Sequence, residues 1–205
     1  MSSRLATRVV SATDGPAELG DTTLWAALGA ADEAAFRELF LRHADAVYNY
    51  CFRRTASWSA AEDAVQSTFA TLWRRALAGQ TDDLRLDSAR PALYAMARNE
   101  CSNANRSRVR QLALVDRVGG AQPTSADQTE VWVEAESTMR LIRDALAVLP
   151  ANQRDVVELV AWSELSMAEA AGALGVSIGT VKSRLARARA RLASSRLAEL
   201  SGDPR

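Results

Sequence analysis

Cysteine occurs twice in the 205 residues, at Cys51 and Cys101, and histidine once, at His43. Neither makes a CxxC pair or a cluster with ligand spacing, which argues against a zinc site or a disulfide scaffold and leaves two reduced thiols. His43 falls on a helical stripe with Leu39, Phe40 and Val47, which assigns it to packing or an interface. No stretch approaches the ~20 apolar residues that span a bilayer, and the N-terminus has no apolar signal core, so the expected location is cytoplasmic. Net charge is absent too: 25 basic residues offset 25 acidic ones. Bulk charge therefore points to no polyanionic partner, and only the placement of charges can. Also missing are a Ser/His/Asp set, a phosphate loop and a paired-carboxylate pattern, so the expectation is a non-enzyme without cofactor, metal or small-molecule substrate.

What is abundant is alanine and leucine, while aromatics make up only 6% of the chain. That composition favours helices packed through small and aliphatic side chains, and an all-α fold of two small domains is expected. Residues 1–21, rich in Ser, Thr, Gly and Ala without periodicity, read as a mobile tail. Over 22–112 an N-terminal unit is expected. Its stripes are Leu24, Trp25 and Leu28; then Phe36, Leu39, Phe40, His43, Val47, Tyr50 and Cys51, capped by Asp32; then Ala61, Val65, Phe69, Leu72, Trp73 and Ala76. A polar loop over 79–88 precedes a helix that starts at Pro91 and turns basic through Arg98, Arg106, Arg108 and Arg110. Residues 113–135, with Gly119, Gly120 and Pro123, read as a linker. A second helical unit is expected over 136–198, with a short tail at 199–205.

The stretch from Leu165 to Leu185 has helix-turn-helix grammar. Ala171 falls where two helices cross and only a small side chain fits. Gly175, four residues on, falls where the turn needs positive φ; Ser177 can cap the second helix; Val181 and Leu185 face inward. Along that second helix Thr180, Ser183, Arg184, Arg187 and Arg191 share the outer face, and Lys182 and Arg189 flank it. From Thr180 to Arg196 there is no acid. Arginine can bind guanine through two hydrogen bonds in the major groove, and short hydroxyls and flanking cations suit bases and phosphates.

Two blocks carry a family resemblance. Leu149-Pro150-Ala151-Asn152-Gln153-Arg154-Asp155-Val156, followed by Ser177-Ile178-Gly179-Thr180-Val181-Lys182-Ser183-Arg184-Leu185-Ala186-Arg187, resembles the C-terminal promoter-binding domain of extracytoplasmic-function (group IV) sigma factors of the sigma-70 family. The run from Ala61 to Arg74 looks like that family's clamp-gripping helix, and Ala92 to Asn99 resembles the helix that follows it. The resemblance implies a sigma factor that binds core RNA polymerase and directs promoter-specific initiation.

Residue by residue, it implies upstream (−35) contacts at Thr180, Lys182, Ser183, Arg184, Arg187 and Arg191. Ala186 stands where many relatives have His or Phe, and Ala170 and Gly172 make the preceding helix smaller than usual, which implies looser packing. Downstream (−10) single-strand contacts are implied at Arg98, Asn99, Arg106 and Arg108, although Asn99 also reads as a plain surface amide. Polymerase contacts are implied at Asp63, Gln66, Trp73 and Arg74, and at an apolar flap-binding surface around Val156, Val157 and Val160. A tryptophan on an apolar stripe also serves as core. An anti-sigma factor is the further partner that many relatives have. The alternative is a helix-turn-helix repressor or activator with a helical sensor domain; a response regulator would carry an α/β receiver, and no alternating strand pattern is present.

Overall fold

The computed structural model describes residues 19–118 and 130–200, and every regular element among them is helical, as composition and periodicity predict. Helix α1 spans Asp21–Gly29, α2 Glu33–Thr55, α3 Trp58–Leu77 and α4 Arg90–Val118; then come α5 Glu130–Leu146, α6 Ala151–Val157, α7 Met167–Leu174 and α8 Ile178–Leu200. Helix α6 widens without a break into a π-helical turn, Glu158–Trp162. The expected tails and the middle of the expected linker, residues 1–18, 119–129 and 201–205, lie outside the described residues.

Three boundaries differ from the sequence reading. Asp21 opens α1 instead of closing a tail, α4 runs past residue 112 to Val118, and α5 begins at Glu130 where linker was expected through 135.

Local rules account for the corners. Asp32 caps α2, its Oδ1 accepting from the N–H groups of Ala34 (2.8 Å) and Ala35 (3.1 Å). Ala56 then turns the chain in the left-handed region (φ 50°), and α3 follows within two residues. Helices α2, α3 and α4 pack on one another with α1 against α2. The core between them holds Leu24, Leu28, Leu39, Val47, Leu72 and Leu93, with the Tyr50 and Tyr94 rings 5.0 Å apart. Phe40, expected on the core stripe, sits at its rim, 39% exposed and edge-on to Phe69. Cys51 on α2 and Cys101 on α4 are buried free thiols. Over residues 130–200, Leu149, Val156, Leu159, Val181 and Ala188 are fully buried, while Ile142 faces outward.

Asp21 ties three helices. Its Oδ2 accepts from the Ala89 N–H at 2.8 Å and bonds His43 Nε2 at 2.9 Å, while Oδ1 accepts from Arg42 Nη1 at 2.9 Å. Burial pushes this carboxyl up, but the hydrogen bonds from His43, Ala89 and Arg42 outweigh it and hold it at about 2. The folded value lies below the unfolded one of ~3.9, so the charged form contributes stability above pH ~4 that is lost as pH falls through the folded value. Asp21→Asn is therefore expected to cost about 2 kcal/mol at neutral pH and to flatten the loss of stability between pH ~4 and ~2. Urea unfolding across that range measures both.

Candidate nucleic-acid interface

The turn between α7 and α8 is built as its residues require. Ser166 Oγ accepts from the Glu169 N–H (3.1 Å), and Glu169 Oε2 accepts from the Ser166 N–H (2.9 Å), a reciprocal cap that starts α7. Gly175 ends it at φ 63°, with its N–H and that of Val176 returning to the Gly172 and Ala171 carbonyls. Ser177 Oγ then accepts from the Thr180 N–H (3.1 Å) and opens α8. Ala171 on α7 and Val181, Leu185 and Ala188 on α8 are buried, with α8 packed on both α7 and α6.

The opposite face of α8 is open. Lys182, Ser183, Arg187 and Arg191 are exposed, with Thr180 and Arg184 half-buried beside them. Arg187 donates through Nε to the Ser183 carbonyl (3.2 Å) and through Nη2 to Ser183 Oγ (3.1 Å), which lays its guanidinium along the face. The sequence-predicted residues of this helix thus form one cationic stripe among the described side chains, suited to phosphates and to guanine edges.

Helix α4 divides its predicted residues. Asn99 is exposed at the mouth of a cavity of about 390 Å³ between α4 and the 79–88 loop. Trp25 Nε1–H, donated to the Asp82 carbonyl at 2.9 Å, pins that loop. Asn99 shares its face with Asn103 and Arg106 at helical spacing, and Arg106 donates to Asn103 Oδ1 at 2.8 Å. Arg108 looks instead toward the start of α3, along a polar groove that Asp63 also lines. Arg98 is not free: its Nη1 donates to Asp155 Oδ2 at 3.1 Å, in the second unit.

On α3, Asp63, Gln66 and Arg74 are exposed along one face. Trp73 closes that row half-buried, its ring 5.0 Å from Phe36, beside a shallow depression of about 840 Å³ that Phe40 and Arg37 also line. It serves as both core and surface. The apolar surface expected around Val156 and Val157 is not there: both side chains are buried, and Val160 is half-buried, because the face of α6 that carries them packs on α8. The outward apolar residues over 130–200 include Trp132, Val133, Leu141, Ile142, Val148 and Ile178.

Sequence reasoning missed the junction between the units. Arg54 at the end of α2 donates to Asp155 Oδ1 (2.8 Å) and to Glu158, whose burial pushes its carboxyl up against the opposing pull of Arg54. The loosening expected of Gly172 is not found; it brings α7 closer, since a Cβ there would meet Pro91 Cβ at 3.2 Å. The Ser-x-x-Glu spacing of Ser166 and Glu169 was the available sign of the cap.

Comparison with known proteins agrees with this geometry. Residues 39–111 match the family model of Sigma-70 region 2, and residues 139–192 match Sigma-70, region 4. Among curated proteins, the ECF RNA polymerase sigma factor SigL of Mycobacterium tuberculosis is 36% identical over 161 residues, 76% of this chain and 85% of the relative. The ECF RNA polymerase sigma factor RpoE of Cereibacter sphaeroides is 34% identical over 182 residues, 86% of this chain and 94% of the relative. Two solved structures are similar. CnrH in complex with the cytosolic domain of CnrY matches with a TM-score of 0.63 at 24% identity, over 90% of this chain and 99% of that one. The sigma factor RpoE in complex with the anti-sigma factor NepR from Bartonella quintana matches with a TM-score of 0.52 at 26% identity, over 83% and 98%.

Because Gly175 is left-handed with open space around its Cα, Gly175→Ala should cost about 1–2 kcal/mol through backbone strain alone. Thermal unfolding would read this.

Proposed function

We propose how the work is divided in a chain that belongs to the extracytoplasmic-function sigma factors of the sigma-70 family. As a member it directs transcription initiation by RNA polymerase, and its contacts fall to three helices, α3, α4 and α8. Two units are inferred, one on each side of the segment that joins α4 to α5. The exposed stripe of α8 reads the upstream promoter element as duplex, with Arg187 and Ser183 at base edges and Thr180, Lys182, Arg184 and Arg191 near phosphates. Asn99, at the mouth of its cavity, holds a base of the melted downstream strand, because an amide both donates to and accepts from a base edge. Arg98, Arg106 and Arg108 follow that strand's backbone. Asp63, Gln66, Trp73 and Arg74 face the polymerase clamp, and an anti-sigma factor of the kind bound to the similar RpoE is a further partner. Among the described residues no helix is long and apolar enough to cross a membrane, in keeping with work at the nucleoid in the cytoplasm.

The observation that carries this reading is the pairing of a helix-turn-helix with an acid-free outer face and a basic, amide-bearing helix in the other unit. Each alone binds weakly; held on one polymerase they engage together, and the second contact becomes intramolecular. Core polymerase supplied with this chain is expected to yield a run-off transcript from a cognate promoter, and the chain alone to bind that duplex weakly. Tight binding to a palindromic operator without polymerase would instead identify a repressor.

Within the upstream contact, Arg187→Ala is expected to lower discrimination between promoters by roughly 1–3 kcal/mol, whereas Arg191→Ala weakens all DNA alike and lowers the salt slope by about one. Salt-titrated binding of the polymerase complex to cognate and scrambled duplexes separates the two roles, and equal effects would contradict them.

A further inference from the structure

Helix α1 packs mainly on α2, and another face of it meets the 79–88 loop. At 3.6 residues per turn, Asp21, Thr22, Trp25 and Gly29 fall within about 100° of arc around the helix axis. Each of the four touches the segment 81–89. Asp21 Oδ2 accepts from the Ala89 N–H (2.8 Å), Thr22 Oγ1 donates to Asp87 Oδ1 (3.2 Å), and Trp25 Nε1–H donates to the Asp82 carbonyl (2.9 Å). Gly29 completes the row, since a Cβ there would stand 3.0 Å from Thr81 Oγ1. The segment has little else to fix it. Among the described residues, no main-chain group of 81–88 bonds to other main chain, so the backbone is held at its two ends, by Trp25 and by Asp21. Leu84 adds an apolar tether against the core. Asp21 is in turn bonded by Arg42 and His43, which ties the anchor to α2.

The loop so held forms a wall of the cavity of about 390 Å³ at whose mouth Asn99 stands, and Trp25 itself lines that cavity. We infer that α1 is the template of the downstream-base site: Asp21, Thr22 and Trp25 are positioning residues that set the wall facing Asn99. They act through the loop and not on DNA. An amide selects a base edge only when the groups around the base are held to fractions of an ångström. A loop without main-chain bonds of its own would have to be ordered at the moment of capture, at the expense of binding. Helix α1 orders it beforehand. Trp25 has two parts in this, its ring as wall and its N–H as the pin on Asp82. The inference rests on the base capture proposed for Asn99 and deepens it, by assigning part of that site to a helix far upstream in sequence.

The test uses the full chain on core polymerase and a forked cognate promoter, an upstream duplex joined to the downstream element as a single strand. Each downstream base in turn is replaced by an abasic site. In the parent, one abasic position is expected to weaken binding roughly tenfold, the loss of one held base. Asn99→Ala is expected to remove most of that penalty. Trp25→Phe keeps a ring and removes the donor to Asp82; it is expected to cut the same penalty to about threefold or less, with binding to the upstream duplex alone unchanged. Gly29→Val disturbs the loop by pressing on Thr81 and is expected to do the same, and adding Thr81→Ala to it should restore the penalty. A full penalty in both Trp25→Phe and Gly29→Val overturns the positioning role while base capture by Asn99 stands. Parallel weakening of the upstream duplex also overturns it, since that marks a general loss of structure. A penalty untouched by Asn99→Ala overturns the base site and its template together.

Discussion

Arg54 is the side chain on which the arrangement of this molecule turns. It sits in the last turn of α2, with its guanidinium nearly withdrawn from water and one local partner, the Tyr50 hydroxyl at 3.0 Å. A buried cation needs a counter-charge, and breaking such a group by removing one partner costs about 3–5 kcal/mol. The first unit supplies no carboxylate there. Asp155 and Glu158, one helical turn apart on α6 and its π-turn, do. The corner between α2 and α3 is drawn in by the same logic: Arg143 donates to the Thr55 carbonyl, and Glu136 accepts from the Trp58 N–H.

The junction engages only part of the basic surface. Among the cations of α4, Arg98 meets Asp155 and Arg90 meets Glu169, whereas Arg106 bonds Asn103 and Arg108 lies along the groove toward α3. The α8 stripe stays exposed, whereas Arg98 on α4 is paired, so the two basic helices differ in what their cations already hold.

Much of this is legible in the sequence because it is local. Turn sterics at Gly175, capping at Ser177 and the facing stripes of α8 follow from three- and four-residue spacings, and the structure has them as expected. Asp21 is hidden by its setting: an acidic residue after Gly20 looks like tail until His43 and the Ala89 N–H, 22 and 68 residues away, are seen to bond it. The junction is illegible for the same reason. Arg54, Asp155 and Glu158 look like ordinary surface charges, and nothing in local periodicity says that they meet. Val156 and Val157 mislead because an apolar pair in a short helix signals burial and binding equally. Gly172 misleads because a small residue can mean loose packing or close approach, and only the neighbouring Pro91 decides between them.

That Arg54 and its two carboxylates hold the junction together is tested most directly by hydrogen–deuterium exchange on the full chain and on its Arg54→Met variant. Amides over 164–170, where Glu169 meets Ser88, are predicted to be protected in the parent and to exchange faster in the variant, while those of α4 near Leu93 stay protected in both. Exchange over 164–170 that is unchanged by the substitution, or already fast in the parent, would contradict it.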